Sequence, residues 1–259
     1  MPRRGVAGDA MSDPAPGIVG SQAEALEGFF GKWRARWPEW AVMEAFVPPA
    51  QRTTVLAWAA LQQELADAAW GGQDPRPGEL KLAWWQEELH GWTAGRRRHP
   101  LGSVLQRHEA PWTMLAAALP EFSASRERAR DSDEAIAALR GFSSAVAMVD
   151  GALFAPADTS GAAADTSVVT AVLLAARAVQ PGDAHLPLSE LVRADRAAAL
   201  ASWRGHLAGN WPVPAASTRP RRLWAALARA RLGQADPATP LPSWRALATA
   251  WRGARAGRN

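Results

Sequence analysis

Glu87 and His90 stand three residues apart, the spacing by which helix bundles present a glutamate and a histidine to a di-iron centre. Such a centre needs a second pair and two further glutamates, and the chain offers one pair. A solvated helix face is therefore the better reading. The other histidines, His99, His108, His185 and His206, fall into no ligand spacing. The chain has no cysteine, which excludes thiolate zinc sites, iron–sulfur clusters, disulfides and a cysteine nucleophile. It carries no GxGxxG, GxSxG or HExxH motif, and neither lysine, Lys32 or Lys81, follows a phosphate-loop glycine pattern.

Anion chemistry is left to arginine. Clusters occur at Arg96-Arg97-Arg98, at Arg219, Arg221 and Arg222, and along Arg245, Arg252, Arg255 and Arg258. Such groups suit nucleic-acid phosphates, an anionic membrane surface or a diphosphate equally well. The pI of 10.7 adds little, because net charge is only +4 and the chain lacks tyrosine and cysteine, so few groups titrate above neutrality. Nucleic acid is the less favoured partner on this balance. Fourteen tryptophans are the other unusual feature. At helical spacing they read as core, or as the lining of an apolar tunnel for a long chain such as an isoprenoid.

The elements that must position these groups are helices. Ala, Leu, Arg, Glu and Trp fill the periodic segments, and alternating Val/Ile/Thr runs are missing. Ser21 with Glu24 has capping-box spacing and predicts a helix start there, running to Trp37. Further helices are predicted over 50–70, over 79–93 with Leu82, Trp85, Leu89 and Trp92 on one stripe, and from Leu101, where Pro111 kinks or splits the segment. Others fall over 132–150, 166–179, 188–208, 219–232 and 243–255. The fold class is all-α, one domain of about eight to ten helices. Residues 1–20 are expected to be a disordered extension, with Met11 as a second plausible start, and 21–259 the helical domain. No apolar run is long enough to span a membrane and no signal peptide is recognised, so the expected location is cytoplasmic, with peripheral membrane contact open.

Residues 46–105 read Phe46-Val47-Pro48-Pro49, Arg52, a helix from Thr54 to Asp67, Lys81-Leu82-Ala83-Trp84-Trp85-Gln86-Glu87-Glu88-Leu89, Gly95, then His99-Pro100-Leu101 before Val104-Leu105. That order resembles the N-terminal part of the squalene/phytoene synthase family. There a proline-flanked entry and an arginine precede an aspartate-rich helix, followed by a W-x-x-E-L … G … H-P-hydrophobic element. Downstream, Leu173 to Val179 and then His185-Leu186-Pro187-Leu188 with Glu190-Leu191 look like a worn second aspartate-rich helix and its following turn.

The resemblance implies an isoprenoid-synthase-like helical bundle around a central cavity. It also implies head-to-head joining of two prenyl diphosphates, with Mg²⁺ held on carboxylates of two facing helices. It carries Arg52, Glu64, Asp67 and Arg177 over as substrate-binding residues, with Glu64, Asp67 and Arg177 toward the cavity mouth, Phe142 as a substrate-binding residue lining its depth, and Glu64 and Asp67 as weak metal ligands. The departures bear on activity. The first motif aligns with Gln63-Glu64-Leu65-Ala66-Asp67, so its leading Asp is Gln63. In the second, Ala178 stands where an Asp is expected after Arg177, with Asp183 the only carboxylate nearby, and the tyrosine of the family's middle helix has no counterpart. A proposed subset without these motifs is linked to respiratory-complex assembly and carries a Glu-Leu-Ala core like Glu64-Leu65-Ala66. The reading is a synthase-like protein without prenyltransferase activity and without a cofactor, binding an isoprenoid or prenyl diphosphate or serving a protein partner. The alternatives are an active Mg²⁺-dependent synthase, and a helical scaffold or nucleic-acid binder.

Overall fold

The computed structural model describes residues 16–155, 165–180, 184–214 and 216–256, and among them there is no strand. Helix α1 (Pro16–Arg36) begins with proline at its first position, where no N–H is required. The start expected at Ser21 therefore moves upstream. Ser21 lies inside the helix rather than capping it, and the 20/21 boundary falls within α1; residues 1–15 lie outside the described ones. The chain turns at Pro38 into α2 (Trp40–Met43) and a 3-10 turn over Glu44–Phe46.

A second 3-10 turn, Pro49–Gln51, leads into α3 (Arg52–Trp70). Every residue of α3 from Thr54 to Gln62 is buried, as expected of a helix surrounded on all sides. It stops where Gly71 turns extended and Gly72 takes φ +66°, a conformation that favours glycine. Helix α4 (Arg76–Thr93) follows and buries the stripe Leu82, Trp85, Leu89 and Trp92.

The middle of the chain is more broken than its periodicity suggests. The helix expected from Leu101 is the single turn α5 (Gly102–Leu105), and Pro111 starts a separate α6 (Trp112–Ala117), followed by α7 (Leu119–Ala124). The 132–150 segment divides at Ala138–Leu139 into α8 (Ser132–Ala137) and α9 (Arg140–Phe154). Asp131 caps α8, its carboxylate accepting from the Glu134 N–H at 2.9 Å. Helix α10 (Thr166–Ala178) is capped by Asp165 in the same way. The 188–208 segment divides into α11 (Leu188–Arg193) and α12 (Arg196–Gly209), because Asp195 takes the Ala198 N–H at 2.9 Å and restarts the helix. Helices α13 (Arg219–Leu232) and α14 (Ser243–Arg255) fall where the sequence placed them.

Helix α3 packs against α1, α4 and α7; α9 joins α10, α10 joins α13, and α13 carries α14 on its outer side. Aromatic rings fill the space between these layers. Trp58 meets Trp112 edge-on at 6.0 Å, Trp112 meets Trp92 at 5.0 Å, and Trp70 meets Phe122 at 5.0 Å. Phe142, expected to line a cavity, is fully buried and stacks flat on Phe122 at 3.8 Å. A cavity of about 770 Å³ lies between α13, α14 and the 211–214 segment, and neither α3, α4, α9 nor α10 lines it. Among the described residues no helix is long and apolar enough to cross a membrane.

Candidate functional site

Glu64 and Asp67 are three residues apart on α3, so their carboxylates share one face, and that face meets α1 and α4. Lys81 of α4 donates to Glu64 Oε2 at 2.6 Å, and Lys32 of α1 stands 3.7 Å from Oε1. Arg36, at the last turn of α1, donates to Asp67 Oδ1 at 2.6 Å. The two lysines of the chain thus converge on one carboxylate, whose side chain is only 9% exposed. Gln63, which replaces the leading Asp of the motif, has a buried Oε1 without a hydrogen-bond partner. Among the described residues, no group of three or more His, Cys, Asp and Glu is placed to hold a metal ion. Glu64 and Asp67 thus sit in an ion-pair cluster of three cations around two carboxylates.

His99 forms the inner wall of this cluster. Its ring lies 4.6 Å from Phe29 and 4.5 Å from Trp85. Burial lowers its pKa to about 4; Glu64 and Glu88 pull it upward, against Lys81 and Lys32, and burial wins. The ring is therefore neutral at pH 7, with Nδ1 accepting the Leu101 N–H at 3.2 Å. The consequence for stability has a definite sign. A histidine held below its ordinary pKa near 6.5 binds fewer protons folded than unfolded, so its contribution is present above about pH 6.5 and is lost as pH falls toward 4. With allowance for partial solvent screening, urea unfolding should lose on the order of 1–2 kcal/mol through this group between pH 7 and pH 4.5. His99→Phe should flatten that part of the profile. An unchanged slope in the variant would assign the acid sensitivity elsewhere.

Glu88 holds the segment that delivers His99. Its buried carboxylate accepts from the Arg98 N–H at 2.7 Å, the His99 N–H at 2.9 Å and Trp92 Nε1 at 2.9 Å, and pairs with Arg98 Nε at 3.1 Å. Burial alone raises the carboxyl pKa, but these hydrogen bonds together outweigh it and leave it lowered. Glu88 is the glutamate of the W-x-x-E-L element and His99 opens the H-P pair, so one carboxylate ties the two halves of that signature together. Glu87, by contrast, is exposed and pairs with Arg98 Nη2 at 3.5 Å, in keeping with a solvated face around the Glu87–His90 spacing.

The remaining candidates do not join the cluster. Arg52 starts α3, and its Nε donates to the Val47 carbonyl at 3.3 Å. Arg177 of α10 donates to the carbonyls of Ser125 at 2.6 Å and Arg126 at 2.9 Å, and lies over the Trp70 ring at 5.2 Å. Burial, with a smaller push from Arg126, lowers its pKa to about 10, so it remains a cation. Arg52 begins α3 and Trp70 ends it, which at 1.5 Å per residue sets the two arginines about 27 Å apart along the helix. They cannot clamp one diphosphate. Arg177 instead closes the end of α7, Phe142 is part of the core, and Asp183 lies outside the described residues.

Two buried ion pairs were not legible as sites. Asp150 of α9 accepts from Arg221 Nε at 2.6 Å and Nη2 at 3.1 Å, and from Trp58 Nε1 at 2.6 Å. Arg221 also reaches Gln62 at 2.9 Å, so α3, α9 and α13 meet at one guanidinium. Glu39 accepts from Arg231 at 2.8 and 2.5 Å and from the Leu241 N–H at 2.7 Å. The one available signal was Asp150 itself, an acid directly after the buried Val146 and Val149 of its helix.

Fold and motif scaffold together define an all-α protein built like an isoprenoid synthase. Residues 38–156, a stretch that takes in α2 through α9, match the family model described as squalene/phytoene synthase. No curated protein matches the chain.

Proposed function

We propose that this chain is a squalene/phytoene synthase-like protein without prenyltransferase activity, serving as a binding or assembly protein. The observation that carries the reading is the pairing of Glu64 with Lys81 and Lys32, and of Asp67 with Arg36. Ionising a prenyl diphosphate requires cations placed around the leaving group. Mg²⁺ wants near-octahedral oxygen ligands and is poorly kept by two carboxylates, fewer still when both are already neutralised by side-chain cations. The donor set does not fit the ion. With Mg²⁺ and farnesyl or geranylgeranyl diphosphate, purified protein should release no pyrophosphate above a no-enzyme control. Turnover that vanishes in Glu64→Ala would restore an active synthase.

One observation favours a narrower second reading. Lys32, Arg36 and Lys81 exceed Glu64 and Asp67 by one positive charge, and Lys32 is 66% exposed. An isoprenoid diphosphate held there without turnover would give a calorimetric signal with a non-hydrolysable prenyl diphosphate, lost in Lys32→Ala with Lys81→Ala. No heat of binding leaves the protein-partner role alone.

A further inference from the structure

We propose that α14 docks the protein on the surface of an anionic lipid bilayer, a role beyond the family reading above. Surface helices normally turn their large apolar side chains inward. Helix α14 does the reverse. Its packed stripe is Ala246, Thr249, Ala250 and Gly253, small enough to lie close on α13; a Cβ on Gly253 would come within 3.0 Å of the Arg222 carbonyl oxygen. Its outer face carries Trp244, Leu247 and Trp251, at i, i+3 and i+7, exposed by 71%, 52% and 52%. Val213, 81% exposed, stands across the adjoining cavity, whose lining includes Trp244.

Charge says what covers this face. Arg245, Arg252 and Arg255 flank the apolar stripe, and Arg255 lies over the Trp251 ring at 4.6 Å. From residue 204 to the end the sequence has ten arginines and one acidic residue, Asp236, so the rest of the chain holds an acidic excess. Two of the ten, Arg221 and Arg231, are spent in buried pairs; those on α14 are not. A helix with Trp and Leu on its outer face and arginines along one side suits the headgroup boundary, indoles at the acyl border and guanidiniums on phosphates. A second copy fits less well, because a two-fold contact would set arginines against arginines. A nucleic acid would engage the arginines but leave the exposed Trp244–Leu247–Trp251 stripe unused.

Vesicle co-sedimentation at about 0.1 M salt tests the proposal. The full chain should pellet with vesicles of three parts phosphatidylcholine to one part phosphatidylglycerol, and much less with phosphatidylcholine alone. Arg245→Gln with Arg252→Gln should weaken binding by about fivefold per arginine. Trp244→Ser, Leu247→Ser and Trp251→Ser together should weaken it at least about tenfold. These side chains face outward, so the thermal melt of each variant should match the parent and exclude unfolding as the cause. Three outcomes overturn the proposal. One is undiminished vesicle binding by the triple variant. Another is a dimer that the triple variant dissolves while vesicle binding stays the same. The third is duplex DNA retention that needs the arginines but not the apolar stripe, with no vesicle binding.

Discussion

Asp150→Ala should lower the free energy of unfolding by about 3–5 kcal/mol, the cost of breaking a buried ion pair and leaving one partner charged. Arg221 is 3% exposed, and its Nη1 has no hydrogen-bond partner even in the parent. Asp150 supplies the only countercharge among its hydrogen bonds, since Gln62 is neutral. Its loss also strips the acceptor from Trp58 Nε1. An apolar double substitution, Asp150→Leu with Arg221→Met, removes both charges and should recover most of the loss, because such pairs barely repay their desolvation. Urea denaturation gives both values: the single variant should move the midpoint at unchanged slope, and the double variant should return it. A single-variant loss below about 1 kcal/mol would mean water reaches Arg221 and the pair is not a buried one.

That pair marks the limit of what periodicity could disclose. The buried stripe of α4 and both ends of α13 and α14 follow from apolar spacing, glycine and proline, all of which act within a few residues. Asp195 is a local signal too, yet it sits inside a stretch whose helical period runs on across it, so the break before α12 was hidden, as was the one at Ala138–Leu139 between α8 and α9. Asp150 and Arg221 are 71 residues apart and Glu39 and Arg231 are 192 apart. No pattern in the chain joins them, because the contact is made by helix packing. Glu64 and Asp67 lie between these cases. Their position on one face was readable from spacing, whereas their neutralisation by Lys32, Arg36 and Lys81 depends on how α1 and α4 flank α3.

The pattern of loss and retention along the first motif is informative in itself. Where the family reading calls for acids facing bound cations, the chain has kept two of the acids and supplied the cations from its own side chains. Side-chain ammonium and guanidinium groups therefore already neutralise both carboxylates. The aromatic stack of Phe122, Phe142 and Trp70 and the Asp150–Arg221 pair fill the interior in parallel.

The element that scaffold has kept most intact is the W-x-x-E-L … H-P signature, and its role here is mechanical. Glu88→Ala should cost about 3 kcal/mol or more. Two backbone N–H groups, of Arg98 and His99, and the Trp92 indole lose their acceptor, whereas the half-exposed Arg98 side chain keeps Glu87. At roughly 2–4 °C per kcal/mol for a chain of this size, the melting temperature should fall by about 6–12 °C. Glu88→Gln should fall between parent and alanine, since one amide oxygen can still accept while the NH₂ faces a donor. Hydrogen exchange separates this from general destabilisation: the amides of Arg98 and His99 should lose protection well before those of α3, because the segment from Gly95 to Leu101 is pinned chiefly through Glu88. If those two amides stay as protected in Glu88→Ala as in the parent, the signature's glutamate does not hold the His99-Pro100 turn, and its place in the family pattern must be explained by something other than this fold.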